Sequence, residues 1–463
     1  MALSLVDPSD PAAAGATPVL CVSAADWRSR ADALGDGVAA FAQAQGFEGK
    51  AGQTAFAPGA GGKPAAVLWG VGDGVRPSDP FLPAKLAQLP EGVYRLDGFG
   101  GDATLAALAF ALGGYRFDRY RARPAPRAVR LVMPDGVDGD AVRRVAEAVA
   151  MGRDLINTPA SDLGPAELET AVRNWAQARG VALAVTVGDD LLAANFPMVH
   201  AVGRGSSRAP RLLDLTWGEE SAPKVTLVGK GVCFDTGGLN IKNDAGMLLM
   251  KKDMGGAATA LAIAQMVVEA RLKVRLRVLV PAVENAISGT SFRPGDVLRS
   301  RKGLTVEIGN TDAEGRLILA DALALADEEQ PDLLVDFATL TGAARVALGP
   351  DLPPFYTDDE ALAADVARTG AAVNDPVWRM PLWKPYDAML DSKIADMNNV
   401  TTGGFAGSVT AALFLRRFVE KAKAWAHFDI YGWTPAEKPG RPFGGEPQAA
   451  RLVFALLQER YAR

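Results

Sequence analysis

The eight residues from Asn310 to Leu317 read Asn-Thr-Asp-Ala-Glu-Gly-Arg-Leu, and their charges are spaced in a way that suits metal chemistry. In an extended segment, side chains two positions apart point to the same side, so Asp312, Glu314 and Arg316 can converge on one spot. Two unpaired carboxylates that close would repel each other, and a hard divalent metal is the usual partner that neutralises them. The segment therefore predicts an enzyme-like metal site.

A second segment, residues 228–258, supports this prediction. The apolar run from Val225 to Val228 ends in glycines, as a buried strand does when it delivers a loop to a site. The charged candidates in this glycine-rich background are Lys230, Asp235, Lys242 and Asp253. Its two aspartates, together with Asp312 and Glu314, would carry about four negative charges, which two divalent cations would balance.

The two segments resemble the two signatures of the leucyl aminopeptidase family, the di-metal cytosol aminopeptidases. Other stretches are similar to further motifs of that family, namely residues 157–159, 163–165, 284–285, 293–297, 339–343 and 410–415. The resemblance extends over residues 150–463, whereas the first 150 residues resemble the family only in layout.

The resemblance implies two divalent metal ions and a role for each charged residue. Asp235 and Glu314 would bridge the two ions. Lys230 and Asp253 would complete one site, and Asp312, through its side chain and main-chain carbonyl, would serve the other. Because lysine can bind a metal only as the neutral amine, Lys230 would need a strongly depressed pKa, which burial beside two cations would supply. Such ligands favour Zn²⁺ or Mn²⁺, with Mg²⁺ and Co²⁺ as alternatives.

The resemblance also implies the catalytic pair Lys242 and Arg316. Lys242 would stay charged and stabilise the oxyanion that forms on the attacked carbonyl. Arg316 would hold a bicarbonate ion that acts as general base, and a water that bridges the two metals would be the nucleophile. The free α-amine of the substrate would bind one metal, so short peptides with a free N-terminus are the expected substrates and N-acetylated peptides should be poor ones.

The resemblance also implies a pocket for the first side chain of the substrate. Met250, Thr339, Gly342 and Tyr431 would border it. Most family members have Asp-Ile-Ala-Gly where this chain has Asp429-Ile430-Tyr431-Gly432. A tyrosine there would reshape the pocket and offer a hydroxyl, or it would simply pack as a loop aromatic. The preferred N-terminal residue is therefore left open.

Strands and helices alternate along the chain, which predicts an α/β protein whose catalytic domain has a mainly parallel sheet flanked by helices. We predict a smaller N-terminal α/β domain over residues 1–150, with an oligomerisation or regulatory role, and a catalytic domain over residues 151–463. In the catalytic domain, strands are predicted near residues 199–202, 211–216, 225–229, 274–280, 304–308 and 333–337. Helices are predicted near residues 165–178, 255–269 and 316–328.

Composition narrows the classes of function. Only two histidines are present, so a histidine-rich zinc site is excluded, and the two cysteines, Cys21 and Cys233, fit a reducing cytosol. The net charge of −5 gives no electrostatic support for nucleic-acid binding. The first residues lack the pattern of a signal peptide, and no apolar stretch is long enough to span a membrane. We expect a cytoplasmic enzyme, and the resemblance implies a homo-hexamer.

Two other classes of function compete with the aminopeptidase prediction. Another two-metal hydrolase, such as a phosphoesterase, would use the same electrostatics but would need additional cationic or amide donors for phosphate. A non-catalytic nucleic-acid-binding scaffold on the same fold would not need an intact set of metal ligands together with Lys242 and Arg316.

Overall fold

The computed structural model describes residues 5–35, 37–74, 76–122 and 124–462, and these form two compact units. The first unit extends through Ala150 and also includes Ala436–Phe443, whereas the second comprises Met151–Pro435 and the chain from Gly444 onward. The sequence predicts residues 436–443 as part of the catalytic domain, but their contacts are with the first unit. The division at Ala150 lies within a helix, Gly139–Asn157.

The first unit is built on a six-stranded sheet covered on both faces. Its strands are β1 (Leu5–Val6), β2 (Thr17–Ser23), β3 (Thr54–Ala57), β4 (Ala66–Gly72), β5 (Gly92–Asp97) and β6 (Val129–Val132), in the order β1-β6-β5-β2-β4-β3. Its helices are α1 (Pro11–Ala14), α2 (Trp27–Asp32), α3 (Val38–Ala44) and α4 (Ala103–Gly113), and α5 (Gly139–Asn157) continues into the second unit. Val19 and Cys21 belong to one apolar cluster and Leu20 and Val22 to another, as the two-residue alternation of a strand requires.

The second unit contains more elements, several of them short. Its strands are β7 (Ala182–Val187), β8 (Arg211–Trp217), β9 (Lys224–Gly229), β10 (Gly231–Asp235), β11 (Arg275–Asn285), β12 (Val297–Arg299), β13 (Thr305–Glu307), β14 (Leu333–Ala338), β15 (Pro354–Tyr356), β16 (Trp378–Arg379), β17 (Met397–Asn398), β18 (Trp425–Asp429), β19 (Trp433–Thr434) and β20 (Gly444–Gly445). Its helices are α6 (Pro165–Arg179), α7 (Asp190–Ala193), α8 (Pro197–Gly203), α9 (Asp244–Met247), α10 (Gly255–Glu269), α11 (Gly315–Glu328), α12 (Gly342–Leu348), α13 (Glu360–Ala372), α14 (Gly407–Arg416) and α15 (Ala450–Tyr461).

The main sheet of the second unit has nine strands in the order β16-β15-β18-β14-β9-β11-β8-β7, with β10 paired to β11. The four central strands β18, β14, β9 and β11 are mutually parallel, while β7 and β8 add an antiparallel edge. The central strands are almost entirely buried, as expected for a parallel sheet with both faces covered. The predicted α/β class with a mainly parallel catalytic sheet is confirmed. Across the described ranges, every helix is too short or too polar to span a bilayer.

One predicted strand is wrong. Residues 199–202 lie in helix α8, whereas the other five strands predicted for the catalytic domain coincide with β8, β9, β11, β13 and β14. Pro197 occupies the first turn of α8, where its missing N–H costs nothing. The carboxyl group of Asp321 then accepts hydrogen bonds from the backbone N–H groups of Met198 and Val199, at 2.8 and 3.3 Å. A short apolar run in a sequence does not distinguish a strand from a buried helix. Here the hydrogen bonds to Asp321, which is distant in the sequence, favour the helix.

We predict that Asp321→Ala destabilises the fold strongly. Besides the two amides of α8, Asp321 accepts a hydrogen bond from the backbone N–H of Arg301 at 2.8 Å. Removing the carboxyl group leaves three backbone donors unpaired, and we expect a loss of about 3 kcal/mol in the free energy of unfolding. Urea denaturation followed by circular dichroism measures the change, with the exposed Glu220→Gln as control. Equal midpoints for the two variants would contradict the role assigned to Asp321.

Candidate metal centre and active site

The candidate ligands follow the ends of central strands. Lys230 comes directly after β9, and Asp235 ends β10. The side chains of Asp312 and Glu314 lie in the loop between β13 and helix α11, and Asp253 lies on a 3-10 helix, Met250–Met254. Ligands of parallel sheets bind beyond the carboxyl ends of the strands, so this placement is the one that the topology favours for a site.

Three glycines let these segments approach each other. A Cβ on Gly315 would lie 2.5 Å from Lys230 Cε, so only a glycine leaves room for the lysine side chain at that point. Gly237 and Gly238 have φ angles of 87° and 64°, in the left-handed region that glycine adopts without strain. They turn the chain between Asp235 and Lys242 back toward the cluster. The local sequence thus specifies the close packing on which the site depends.

Six charged side chains predicted for the site do meet. Lys230 Nζ lies 2.8 Å from Asp253 Oδ2 and 2.9 Å from Glu314 Oε1. Lys242 Nζ lies 2.8 Å from Asp235 Oδ2 and also contacts Asp312 Oδ1. Carboxylate oxygens of Asp235, Asp312 and Glu314 lie within 4.8 Å of one another, a grouping that could hold a metal ion. We call these six residues, Lys230, Asp235, Lys242, Asp253, Asp312 and Glu314, the carboxylate cluster.

The carboxylates of the cluster repel each other. The pKa of Glu314 is raised to about 8, chiefly by burial and then by Asp235, while Lys230 opposes the shift. Burial likewise raises the pKa of Asp312 to about 6, with Asp235 adding to the shift and Lys242 opposing it. Four carboxylates and two ammonium groups leave two negative charges uncompensated when all six are ionised. The cluster is therefore short of positive charge.

The pKa of Lys230 is raised among these protein groups, the opposite of the depression that metal ligation requires. Burial lowers it, but the carboxylates of Asp253, Glu314 and Asp235 outweigh burial. Burial alone therefore does not depress the pKa of Lys230. A depressed pKa would require further positive charge beside the amine, such as that of bound metal ions. The pKa of Lys242 is also raised, because Asp235 and Asp312 outweigh the effect of its burial. Lys242 is thus a cation at neutral pH, as expected for a group that stabilises negative charge.

The oxygen atoms of the cluster fit divalent cations. Three buried oxygens, Asp253 Oδ2, Asp312 Oδ1 and Glu314 Oε1, receive no hydrogen bond in the described structure, although each lies beside a lysine nitrogen. Lysine ammonium groups are thus the partners of these three oxygens among the described residues, and divalent cations could take that place. A donor set of carboxylate oxygens with one lysine amine suits hard or intermediate divalent metals.

Asparagines that were not assigned a role from the sequence hold the two metal-site loops together. Asn285 Nδ2 donates to Asp235 Oδ1 at 2.9 Å and to the carbonyl oxygen of Thr311 at 3.0 Å. Asn399 Oδ1 accepts from the backbone of Gly309 at 2.8 Å, and Asn399 Nδ2 donates to the carbonyl oxygen of Asn310 at 2.7 Å. Asn285 belongs to one of the stretches that resemble family motifs, but the sequence did not indicate the contacts that either asparagine makes.

Arg316 lies in the first turn of α11 and is buried. Its Nη1 donates to the carbonyl oxygen of Asn399 at 2.6 Å, while its Nε is buried without a hydrogen-bond partner. Burial lowers the pKa of Arg316 to about 10, with Asp429 and Glu314 opposing the shift, so the guanidinium remains charged at neutral pH. A buried N–H without a partner fits a small anion that is bound beside the cluster.

The residues predicted for the substrate pocket adjoin the cluster to different degrees. Thr339 Oγ1 donates to Asp253 Oδ1 at 2.7 Å, and its methyl group would lie 3.1 Å from a Cβ on Gly432. Met250 begins the 3-10 helix that carries Asp253, and Gly342 begins helix α12. Tyr431 is half-buried, directly before Gly432. Thr339 therefore connects the cluster with the strand end that carries Tyr431.

Two cations that were not predicted from the sequence lie at Tyr431. Lys252 Nζ and Arg345 Cζ are each 4.8 Å from the centroid of its ring. Burial lowers the pKa of Lys252 to about 7, Asp253 opposes the shift and Arg345 adds to it. Lys252 stands in the sequence Met-Lys-Lys-Asp-Met, where nothing indicates which lysine turns inward.

The remaining candidates from the sequence lie outside the cluster. His427 Nδ1 lies 2.6 Å from Asp336 Oδ1 in the core, and His200 Nε2 lies 3.0 Å from Asp189 Oδ1. His427 is therefore a packed, hydrogen-bonded core residue. Cys21 and Cys233 are both free and buried.

Comparisons with known proteins agree with this architecture. Residues 150–453 match the catalytic domain of the cytosol aminopeptidase family, and residues 18–134 match the N-terminal domain of the M17 aminopeptidases. A probable cytosol aminopeptidase of Corynebacterium efficiens is 40% identical over 441 residues, which cover 90% of this chain and 86% of that protein. One from Chlorobium limicola is 35% identical over 460 residues, covering 89% and 90%.

Two solved structures are similar to this chain over nearly its whole length. The crystal structure of the cytosol aminopeptidase from Coxiella burnetii is 44% identical, with a TM-score of 0.92 and coverage of 99% of both chains. The bottromycin maturation enzyme BotP in complex with Mn is 33% identical, with a TM-score of 0.86 and coverage of 96% of this chain and 100% of that one.

These matches confirm the resemblance that the two signatures carry, and they extend it to the first 150 residues, where the sequence alone indicated only a similar layout. They favour a peptidase over the phosphoesterase and the nucleic-acid-binding scaffold considered above. The chain belongs to the cytosol aminopeptidase family and is a metal-dependent aminopeptidase, a hydrolase that acts on peptides.

Proposed function

We propose that this aminopeptidase releases single N-terminal residues from short peptides with two divalent metal ions held by the carboxylate cluster. The observation that carries the proposal is the grouping of carboxylate oxygens of Asp235, Asp312 and Glu314 within 4.8 Å of one another, with Lys230 and Asp253 beside them. Asp235 and Glu314 would be shared between the ions. Lys230 and Asp253 would complete one site and Asp312 the other.

The residues around the metal ions would then have distinct roles in catalysis. When bound, the two cations would supply the charge that holds the substrate amine, polarises the scissile carbonyl and lowers the pKa of water. Lys242, which is charged and only partly buried, would stabilise negative charge on the carbonyl oxygen. Arg316 would bind bicarbonate as general base, which is supported by its buried, unpartnered Nε. Thr339 would fix the orientation of Asp253 through their hydrogen bond.

The proposal also includes the identity of the metal ions, the oligomeric state and the cellular location of the protein. Mn²⁺ and Zn²⁺ are the favoured ions, with Mg²⁺ and Co²⁺ as alternatives, and the manganese complex of BotP supports Mn²⁺. The names of the relatives support a cytoplasmic location. The homo-hexamer and the oligomerisation or regulatory role of residues 1–150 follow from the family resemblance alone.

We predict that Mn²⁺ stabilises the protein through the cluster. At a free concentration about 100 times the dissociation constant, a bound ion adds about 2.7 kcal/mol to the free energy of unfolding, and the melting temperature should rise accordingly. Asp312→Asn removes one charged ligand and should abolish most of that rise. Differential scanning fluorimetry measures both, with Glu220→Gln as a matched surface control. Equal rises in all three proteins would contradict metal binding at the cluster.

We predict that the metal-loaded enzyme hydrolyses aminoacyl-p-nitroanilides only when their α-amine is free. The N-acetylated forms lack the amine that the metal centre would hold, so their kcat/KM should fall by about 10³-fold or more. Glu314→Gln should lower turnover of the free-amine substrates by a similar factor while circular dichroism stays unchanged. Full activity of Glu314→Gln, or equal hydrolysis of acetylated and free substrates, would overturn the proposed mechanism.

A further inference from the structure

The aromatic ring of Tyr431 is flanked by two positive charges. Lys252 Nζ and the guanidinium carbon of Arg345 both lie 4.8 Å from the ring centroid, within the range of a cation–π contact. Lys252 is 2% exposed, whereas Arg345 and Tyr431 are half-buried and therefore partly accessible.

Neither cation has a carboxylate partner among the described residues. Arg345 Nη1 donates to the carbonyl oxygen of Thr341 at 3.1 Å, a neutral acceptor. The carboxylate of Asp253 accepts from Thr339 and lies beside Lys230. The carboxylate of Asp429 accepts from the backbone of Leu340 and Thr341 and from the hydroxyl groups of Thr341 and Ser408. The nearby anions are therefore already engaged.

Buried cations are normally paired, because removing an ammonium or guanidinium group from water is costly. The guanidinium of Arg345 is half-buried and its side-chain hydrogen bond goes to a neutral carbonyl, so the carboxylate of a ligand can pair with it.

The two cations stand at the predicted pocket for the first side chain of the substrate. A Cβ on Gly342 would lie 3.6 Å from Arg345 Nη2, so the guanidinium covers the start of helix α12. Lys252 directly precedes the cluster residue Asp253, and its carbonyl oxygen would lie 3.7 Å from a Cβ on Gly432. Tyr431 and Gly342, two of the four predicted pocket residues, thus lie beside the guanidinium of Arg345.

Resting on the proposed function, we propose that this pocket selects an acidic first residue, aspartate or glutamate, whose carboxylate pairs with the guanidinium of Arg345 while Lys252 contributes a second positive charge. An aliphatic first residue would cover both cations without pairing them, and this cost discriminates against it. Tyr431 fills the space that a smaller residue would leave for a large apolar side chain, and it holds the two cations apart through its ring.

The test compares substrates that differ only in charge. Steady-state kcat/KM is measured with the p-nitroanilides of glutamate, glutamine and leucine, none of which carries a carboxylate beyond the scissile bond. We expect glutamate to exceed glutamine by about tenfold, the effect of one charge-assisted hydrogen bond. Arg345→Met should reduce the ratio of glutamate to glutamine by about tenfold, and Lys252→Met should reduce it by a smaller factor. Arg368→Met, an exposed arginine paired with Glu459, is the control and should leave the ratio unchanged.

The outcomes separate this inference from the function on which it rests. If glutamine and leucine substrates are cleaved but glutamate is not favoured over glutamine, the acidic preference is wrong and the aminopeptidase mechanism stands. If Arg345→Met instead lowers cleavage of Leu-Gly relative to Leu-glycinamide, the cations bind the C-terminal carboxylate of a dipeptide, and the proposal is overturned in favour of that site. If no free-amine substrate is cleaved at all, the proposed function fails and takes this inference with it.

Discussion

Repulsion between buried carboxylates is the constraint around which the second unit is organised. Four acidic side chains share one small volume with only two lysines, and burial strengthens the repulsion because the surroundings screen charge poorly. The pKa values of Asp312 and Glu314 are raised chiefly by burial and then by repulsion from Asp235. A fold tolerates such a cluster when a bound cation completes it, and the remaining architecture keeps the acidic groups from moving apart.

The sheet and its glycines supply that rigidity. Strand β9 pairs with a parallel strand on each side and positions Lys230 directly after its end. Because Gly315 has no side chain, helix α11 can begin in contact with the side chain of Lys230. Asn285 and Asn399 connect the loops of Asp235 and Asp312 to neighbouring backbone. Because these contacts come from segments far apart in sequence, the geometry of the site depends on the whole unit and not on either signature alone.

Much of the site could be predicted from the sequence because its chemistry is concentrated in two short segments. Charged residues in an apolar, glycine-rich background identified the six members of the carboxylate cluster, and long periodic helices such as α10 and α11 were clear from their patterns. Features set by distant contacts could not be predicted. Helix α8 depends on Asp321, residues 436–443 pack with the first unit, and the cations at Tyr431 depend on which way Lys252 and Arg345 turn.

The number of metal ions per chain tests the central claim most directly. The protein is equilibrated with Mn²⁺, freed of unbound ion by gel filtration, and analysed by mass spectrometry for manganese against protein concentration. The proposed assignment of the cluster residues to two metal sites predicts two ions per chain, and loss of about one ion in Asp253→Asn, which lacks a charged ligand of only one site. A wild-type content of one ion or none, or an unchanged content in Asp253→Asn, would contradict the di-metal account.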